Sequence, residues 1–206
     1  MSLVRINLLV ALPAEAKPLI RGLGLKRQQP DAGPCPIYID GGISLAISGP
    51  GHAAIQVACR WLLHNHPADQ WINIGIAGHP SHSRGSLFCA ESVIERNSGR
   101  SWQLSPASRL IDYCPLESVA QPEFHYPATR LYEMEAAALL DVLTPSLPLD
   151  RIQILKVVSD NHSQPAQQIN GKMVSSLIEQ NLPLIRNLLQ QLQCQQERQR
   201  AESYAE

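Results

Sequence analysis

The sequence predicts an α/β protein: a single-domain three-layer α/β/α fold over residues 1–190 around a central mixed, mostly parallel twisted sheet, with 191–206 as a Gln-rich, frayed C-terminal tail. Three observations lead there. Apolar runs of strand length alternate with segments of helical periodicity, the pattern of a sheet covered on both faces. At 44% hydrophobic and 17% charged over 206 residues, the chain can bury one substantial core. The closing stretch QQLQCQQERQR carries no sustained apolar face, so the pattern that builds the body stops before it.

The elements follow in order. Residues 3–11, LVRINLLVA, form a strand-length apolar run, and PAEAKPLIRGL after it reads as a helix that begins near Pro13 and ends by Gly24. PIYID, Gly41-Gly42 and ISLAIS spell a hairpin, because paired glycines supply the positive φ of a tight turn. Gly49-Pro50-Gly51 then opens HAAIQVACRWLLHN, whose Ile55, Ala58, Cys59, Leu62 and Leu63 recur at helical spacing. QWINIGIAG at 70–78 is a further strand, and SLFCAESVIE at 86–95 is strand-like in its middle. Residues 96–130 are rich in Pro, Ser and polar side chains and are expected to be irregular with short strands. YEMEAAALLDVL at 132–143 reads as a helix, RIQILKVVSD at 151–160 as a buried parallel strand, and 173–200 as helical.

Composition narrows the function. Seventeen Lys+Arg against eighteen Asp+Glu give a formal net charge of -1, which disfavours nucleic-acid binding. No apolar run reaches the ~20 residues needed to span a bilayer and no secretion signal is evident, so a cytoplasmic location is expected. The five cysteines, 35, 59, 89, 114 and 194, are scattered without a C-x-x-C pair and read as buried thiols, neither a disulfide framework nor a zinc knuckle.

In folds of this class ligands collect at the carboxyl ends of strands. Four places qualify: Ala11–Glu15, Gly49–Gly51, Gly75–Gly78 and Ser159–Asn161. Gly49-Pro50-Gly51-His52-Ala53-Ala54 fits G-x-G-x-x-A, but Pro50 removes an amide donor and Asp69 lies at the wrong end of the next strand for a ribose. A tight turn lining a pocket therefore reads better than a nicotinamide site. Glu15, Glu135 and Asp160 are the carboxylates of interest, since glycosidic cleavage uses an acid for the leaving group and a base or nucleophile opposite. Taken singly, Glu15 is explained by the helix dipole and Asp160 by a cap or Asx-turn. Glu133 and Glu135 point apart on a helix, which would leave Glu133 at the surface. His64-x-His66 and His79-x-x-His82 have no companion Cys, Asp or Glu at zinc spacing and read as exposed loop histidines.

Taken in order, VALPAEAKPL, ISGPGHAAIQ, WINIGIAG, the strand after Gly85, YEMEAAAL and KVVSDN resemble the nucleoside phosphorylase superfamily, most closely its methylthioadenosine/S-adenosylhomocysteine nucleosidase branch. The resemblance implies a nucleoside phosphorylase-like fold and cleavage of the N-glycosidic bond of a purine nucleoside or related ribosyl metabolite. It implies Glu15 as the acid that helps activate water, Glu135 on the ribose hydroxyls with Met134 beside the sugar, and Asp160 as the general acid at purine N7. Gly49, Gly51, Ile76, Ala77 and Gly78 would form the nucleophile or anion pocket, and Ser159, Phe124 and Tyr126 would face the base. No metal or organic cofactor is implied. The partner would be a small nucleoside, with phosphate as a possible co-substrate, and a homodimer or higher homo-oligomer is expected.

Two departures keep alternatives open. Phosphorylases resemble Arg-x-Gly-Ser where this chain has Asn73-Ile74-Gly75-Ile76, which leans toward water over phosphate, and Ile76 also replaces the serine of the nucleosidases. Only 49 residues separate Gly85 from Glu135, so part of the base-binding wall is shortened and Phe124-His125-Tyr126 is the candidate substitute platform. A phosphate-dependent phosphorylase and a non-catalytic nucleoside binder remain the other two readings.

Overall fold

The computed structural model describes residues 3–28 and 33–203. Strand β1 (Ile6–Val10), buried at every position, feeds helix α1 (Pro13–Leu23). Leu12 has no side-chain oxygen to cap that helix, and the Glu15 carboxylate takes the Leu12 N–H in its place. Gly24, at φ 70°, ends it. After β2 (Lys26–Arg27), β3 (Ile37–Asp40) and β4 (Ile43–Ile47) form the hairpin, turned by Gly41 and Gly42 at φ 54° and 86°. Helix α2 (His52–Asn65) leads to β5 (Gln70–Gly78). Then come β6 (Leu87–Glu95), β7 (Ser101–Gln103), β8 (Asp112–Ser118), β9 (Leu131–Glu133), α3 (Ala136–Leu143), β10 (Ile152–Asp160) and α4 (Gly171–Ser203).

The sheet is mixed. It is parallel through β4, β1, β5 and β10, and again through β6, β8 and β9, with antiparallel joints at β10–β6 and β5–β9. Those joints close β5, β10, β6, β8 and β9 into a ring, while β1, β4, β3 and β2 extend from it as an open wing. Helices α1 and α4 pack on one face and α2 and α3 on the other, and the buried side chains divide into two clusters accordingly. This is the three-layer arrangement expected from the alternation of elements.

Where the ring meets the wing, the sheet splits. β10 occupies one edge of β5 from Trp71 to Gly78. On the other edge β1 pairs only as far as Asn73, and β9 joins only at Gly78. The backbone of residues 74–77 is left facing a gap, and Glu15, Glu135 and Asp160 gather round a cavity there.

Two expectations need correction here. The helix expected over 132–143 begins only at Ala136, because residues 131–133 are drawn into the ring as β9. The Glu133 carboxylate accepts the N–H groups of Glu135 and Ala136 and so caps the shortened helix. Among the thiols, Cys59, Cys89 and Cys114 are buried as expected, Cys35 is half-buried and Cys194 is exposed on α4; all five are free. Helix α4 continues through Ser203 with Leu192 and Gln196 buried, and residues 204–206 of the expected tail lie outside the described residues. No helix among the described residues is long and apolar enough to cross a membrane.

Candidate active site

The split in the sheet opens into a cavity of about 220 Å³. Glu15 enters from the first turn of α1. Its Oε2 accepts the N–H groups of Ala11 and Leu12 at 3.1 and 2.8 Å, and its Oε1 accepts the Ile76 N–H at 3.0 Å, across the gap left by β1. The fit depends on Gly75: a Cβ there would stand 2.9 Å from Glu15 Oε1 and 3.4 Å from Lys156 Nζ. Burial pushes the Glu15 carboxyl up to about 7, against the pull of Lys156 and the amide donors.

Lys156, from the middle of β10, is almost wholly buried. Its ammonium lies 2.8 Å from Glu133 Oε2 and 4.0 Å from Glu135 Oε2. Burial works against its charge, yet Glu133, Glu135 and Glu15 together outweigh that effect and hold its pKa above the ordinary lysine value. Glu135 stands at the start of α3, and its Oε1 accepts the Gly51 N–H at 2.9 Å. Burial raises its pKa, with Lys156 opposing and Glu133 reinforcing the shift. One lysine thus serves three buried carboxylates.

Asp160 faces the cavity from the end of β10, just past a bulge in its pairing with β5. Its Oδ2 accepts the Tyr126 hydroxyl and its Oδ1 the Ser159 hydroxyl. Its backbone is fixed too, the His79 N–H reaching the Asp160 carbonyl at 3.0 Å. Tyr126 is the one described non-glycine residue with positive φ, 43°, which places its ring against Gly78, where a Cβ would come within 2.5 Å of it. Burial, then the bond to Asp160, raises the Tyr126 pKa.

The structure brings Glu15, Glu135, Met134, Asp160, Ser159, Ile76, Ala77, Gly78 and Phe124 to the one cavity. Gly49 and Gly51 adopt φ 87° and contribute through the turn: Pro50 between them lines the cavity and Gly51 holds Glu135. The Phe124-His125-Tyr126 platform is divided, with Phe124 half-exposed on the cavity wall and Tyr126 buried off the wall, bonded to Asp160. Glu133, expected at the surface, is buried on Lys156, because β9 turns its side chain inward where a helix would have turned it out. Lys156 itself was not among the residues singled out; its position within the apolar run ILKVV is the signal that could have found it. His79, expected in an exposed loop, is fully buried against Phe88.

No family model and no curated protein matches the sequence. Solved structures do match. A 5'-methylthioadenosine/S-adenosylhomocysteine nucleosidase from Helicobacter pylori superimposes with a TM-score of 0.78 over 92% of this chain and 99% of that one, at 14% identity. The 5'-methylthioadenosine nucleosidase of Arabidopsis thaliana gives 0.80 over 92% and 96%, at 15% identity. This chain has the nucleosidase fold. Futalosine hydrolase of Helicobacter pylori shares it, with a TM-score of 0.76 over 91% of this chain and 98% of that one, at 14% identity. The nucleosidase fold is thus kept along nearly the whole length of both partners.

Proposed function

We propose that the protein cleaves the N-glycosidic bond of a purine nucleoside or a related ribosyl metabolite, with water as the nucleophile. The observation that carries this reading is the charge of the cavity. Five carboxylates line it, those of Glu15, Glu123, Glu133, Glu135 and Asp160, with no Lys or Arg among the described lining residues. The nearest buried cation, Lys156, is committed to Glu133. Such a wall repels a phosphate dianion and attracts the positive charge that develops on a ribosyl group as its base departs.

Each group then has a task. Water adds to the anomeric carbon and gives a proton to Glu15, whose pKa near 7 suits a base at neutral pH. Glu135 accepts the ribose hydroxyls, and Met134 packs beside the sugar. Asp160 delivers a proton to N7 of the purine, so that the base leaves neutral, with Ser159 and Phe124 on the base side. The nucleosidases and futalosine hydrolase that share the fold support this choice of reaction. The same reading has the chain working in the cytoplasm, in keeping with its five free thiols, as a homodimer or higher homo-oligomer. A monomer by light scattering at micromolar concentration would remove the last point.

The test is chromatographic detection of free base after incubation with methylthioadenosine, S-adenosylhomocysteine, adenosine, inosine and guanosine, each with and without phosphate. Release without phosphate is the expected result. Release that requires phosphate and yields ribose 1-phosphate would make the protein a phosphorylase. Ligand-induced thermal stabilisation with no product from any substrate would make it a binder.

A further inference from the structure

One carboxylate of the cavity wall has no task in the reaction proposed above. Glu123 lines the cavity beside Phe124, and its side chain is only 10% exposed. It lies between β8 and β9, in the same segment as Phe124 and Tyr126.

Its two oxygens are used unequally. Oε1 accepts the N–H groups of Phe124 and His125 at 2.9 and 2.8 Å, which occupies both of its lone pairs. Oε2 accepts only Arg96 Nη1 among the described residues, at 2.6 Å, and so keeps one lone pair unused. Arg96 is itself held in place: its Nε donates to Glu117, and its guanidinium lies over the Tyr132 ring, 5.6 Å from the centroid. The His125 N–H first, then Arg96, hold the Glu123 carboxyl below its ordinary pKa. Glu123 is therefore an ionised, immobilised group that can only accept.

Its place relative to Asp160 is given by Tyr126. That hydroxyl donates to Asp160 Oδ2 and also feels the charge of Glu123, so the two carboxylates flank one phenol. On a purine whose N7 meets Asp160, the next groups along the ring edge are the substituent at C6 and then N1. Resting on the reading that the cavity takes a purine nucleoside, we propose that Glu123 is a specificity-determining residue, whose unused Oε2 lone pair accepts an N–H on the C6–N1 edge of the base. An amine at C6 or a proton on N1 satisfies it. A purine with only hydrogen at C6 and a bare N1 leaves the carboxylate desolvated and unpartnered, and such a substrate is rejected.

The unequal use of the two oxygens also fixes what an amide in this place does. In Glu123→Gln the side-chain oxygen must stay with the Phe124 and His125 N–H groups, because an amide nitrogen cannot accept them. The amide nitrogen then takes the position of Oε2. The substitution keeps both backbone bonds, loses the one to Arg96, and turns the cavity-facing end from an acceptor into a donor.

The experiment uses the full chain and Glu123→Gln, with two readouts: kcat/KM for adenosine, inosine and purine riboside, and calorimetric affinity for adenine, hypoxanthine and unsubstituted purine. In the parent, the better of adenine and hypoxanthine should bind at least about tenfold more tightly than purine, as a hydrogen bond to a charged group implies. In Glu123→Gln, the preference of kcat/KM for adenosine or inosine over purine riboside should fall by about 10–100-fold. An equal loss for all three nucleosides, with their ratio unchanged, would make Glu123 a structural residue and overturn the proposal. Equal affinity of the parent for the three bases would overturn it without any variant, so a folding defect in Glu123→Gln leaves the test intact. Selective base binding with no cleavage of any nucleoside would remove the hydrolytic reading and uphold base selection, whereas a parent that binds none of the three bases would overturn both.

Discussion

The carboxylates on the two sides of the cavity are held by different kinds of donor. Glu15, Glu133 and Glu135 accept backbone N–H groups and gather round Lys156, whereas Asp160 accepts two hydroxyls, from Tyr126 and Ser159. An amide N–H can only donate, so it favours the ionised acid. A hydroxyl can donate to a carboxylate and, turned round, accept from a carboxylic acid. Asp160 thus keeps its partners in either protonation state, as would suit the proton donor proposed above. The other three sit in a frame built for negative charge, and burial, with a smaller push from Glu135, holds the Glu15 pKa near 7.

Substitutions can break that contrast. The largest effect is expected from Asp160→Asn, which keeps the hydroxyl partners but has no proton to deliver: base release should fall by about 10²–10⁴-fold, with nucleoside affinity by calorimetry little changed. Full turnover by this variant would end the assignment. On the other side, Lys156→Met removes the one cation among three buried carboxylates. It should cost about 3–5 kcal/mol in urea unfolding, and Lys156→Arg should recover part of it. A variant as stable as the parent would mean that the carboxylates there do not need their counter-ion.

The Glu15 frame has a pH signature. Its folded pKa, about 7, lies above its unfolded value of 4.5, so the folded protein binds this proton more tightly. The associated stability, at most about 3 kcal/mol, is complete below the unfolded pKa and is lost as pH rises through about 7. Glu15→Gln should therefore flatten unfolding free energy between about pH 5 and 8, and should abolish a rise of kcat/KM expected to level off above about pH 7 in the parent. An unaltered pH profile would free Glu15 from the role of base. The smallest change belongs to Tyr126→Phe, expected to lower kcat about tenfold with KM nearly constant, since one of the two reversible partners of Asp160 is gone. An effect on KM alone would place the hydroxyl in substrate binding.

Much of this was legible in the chain itself, unevenly. Pro13 and Gly24 bracket α1, Gly41-Gly42 turns the hairpin, and the apolar runs at 70–78 and 152–160 are the two strands on which the cavity rests. Glu15, Glu135 and Asp160 stand where strands end or helices begin, and local pattern finds such places. Other features depend on partners that no local pattern names. Leu131–Glu133 has the composition of a helix but pairs with β8 and β5, and that tertiary pairing overrode propensity and took Glu133 inside. Within the stretch expected to be irregular with short strands, β8 could not be placed, because Pro115 interrupts its run and one of its inward positions is the polar Ser118, although the folded strand alternates in burial.

The pairing of β5 with β10 also bears on how the chain acquires its shape. Trp71 finds Ile152 as its neighbour, so the middle of the sheet stays incomplete until most of the sequence has been threaded past it. Contacts this distant along the chain slow folding, because a long loop must be closed before they return any stabilisation. On a ribosome, the wing and α1 can assemble early, while the floor of the cavity waits for residues 152–160 to emerge. Until then Glu15 faces Ile76 without the opposing charge of Lys156, and a nascent chain halted before that strand would carry the N-terminal part of the cavity without Asp160 or its lysine.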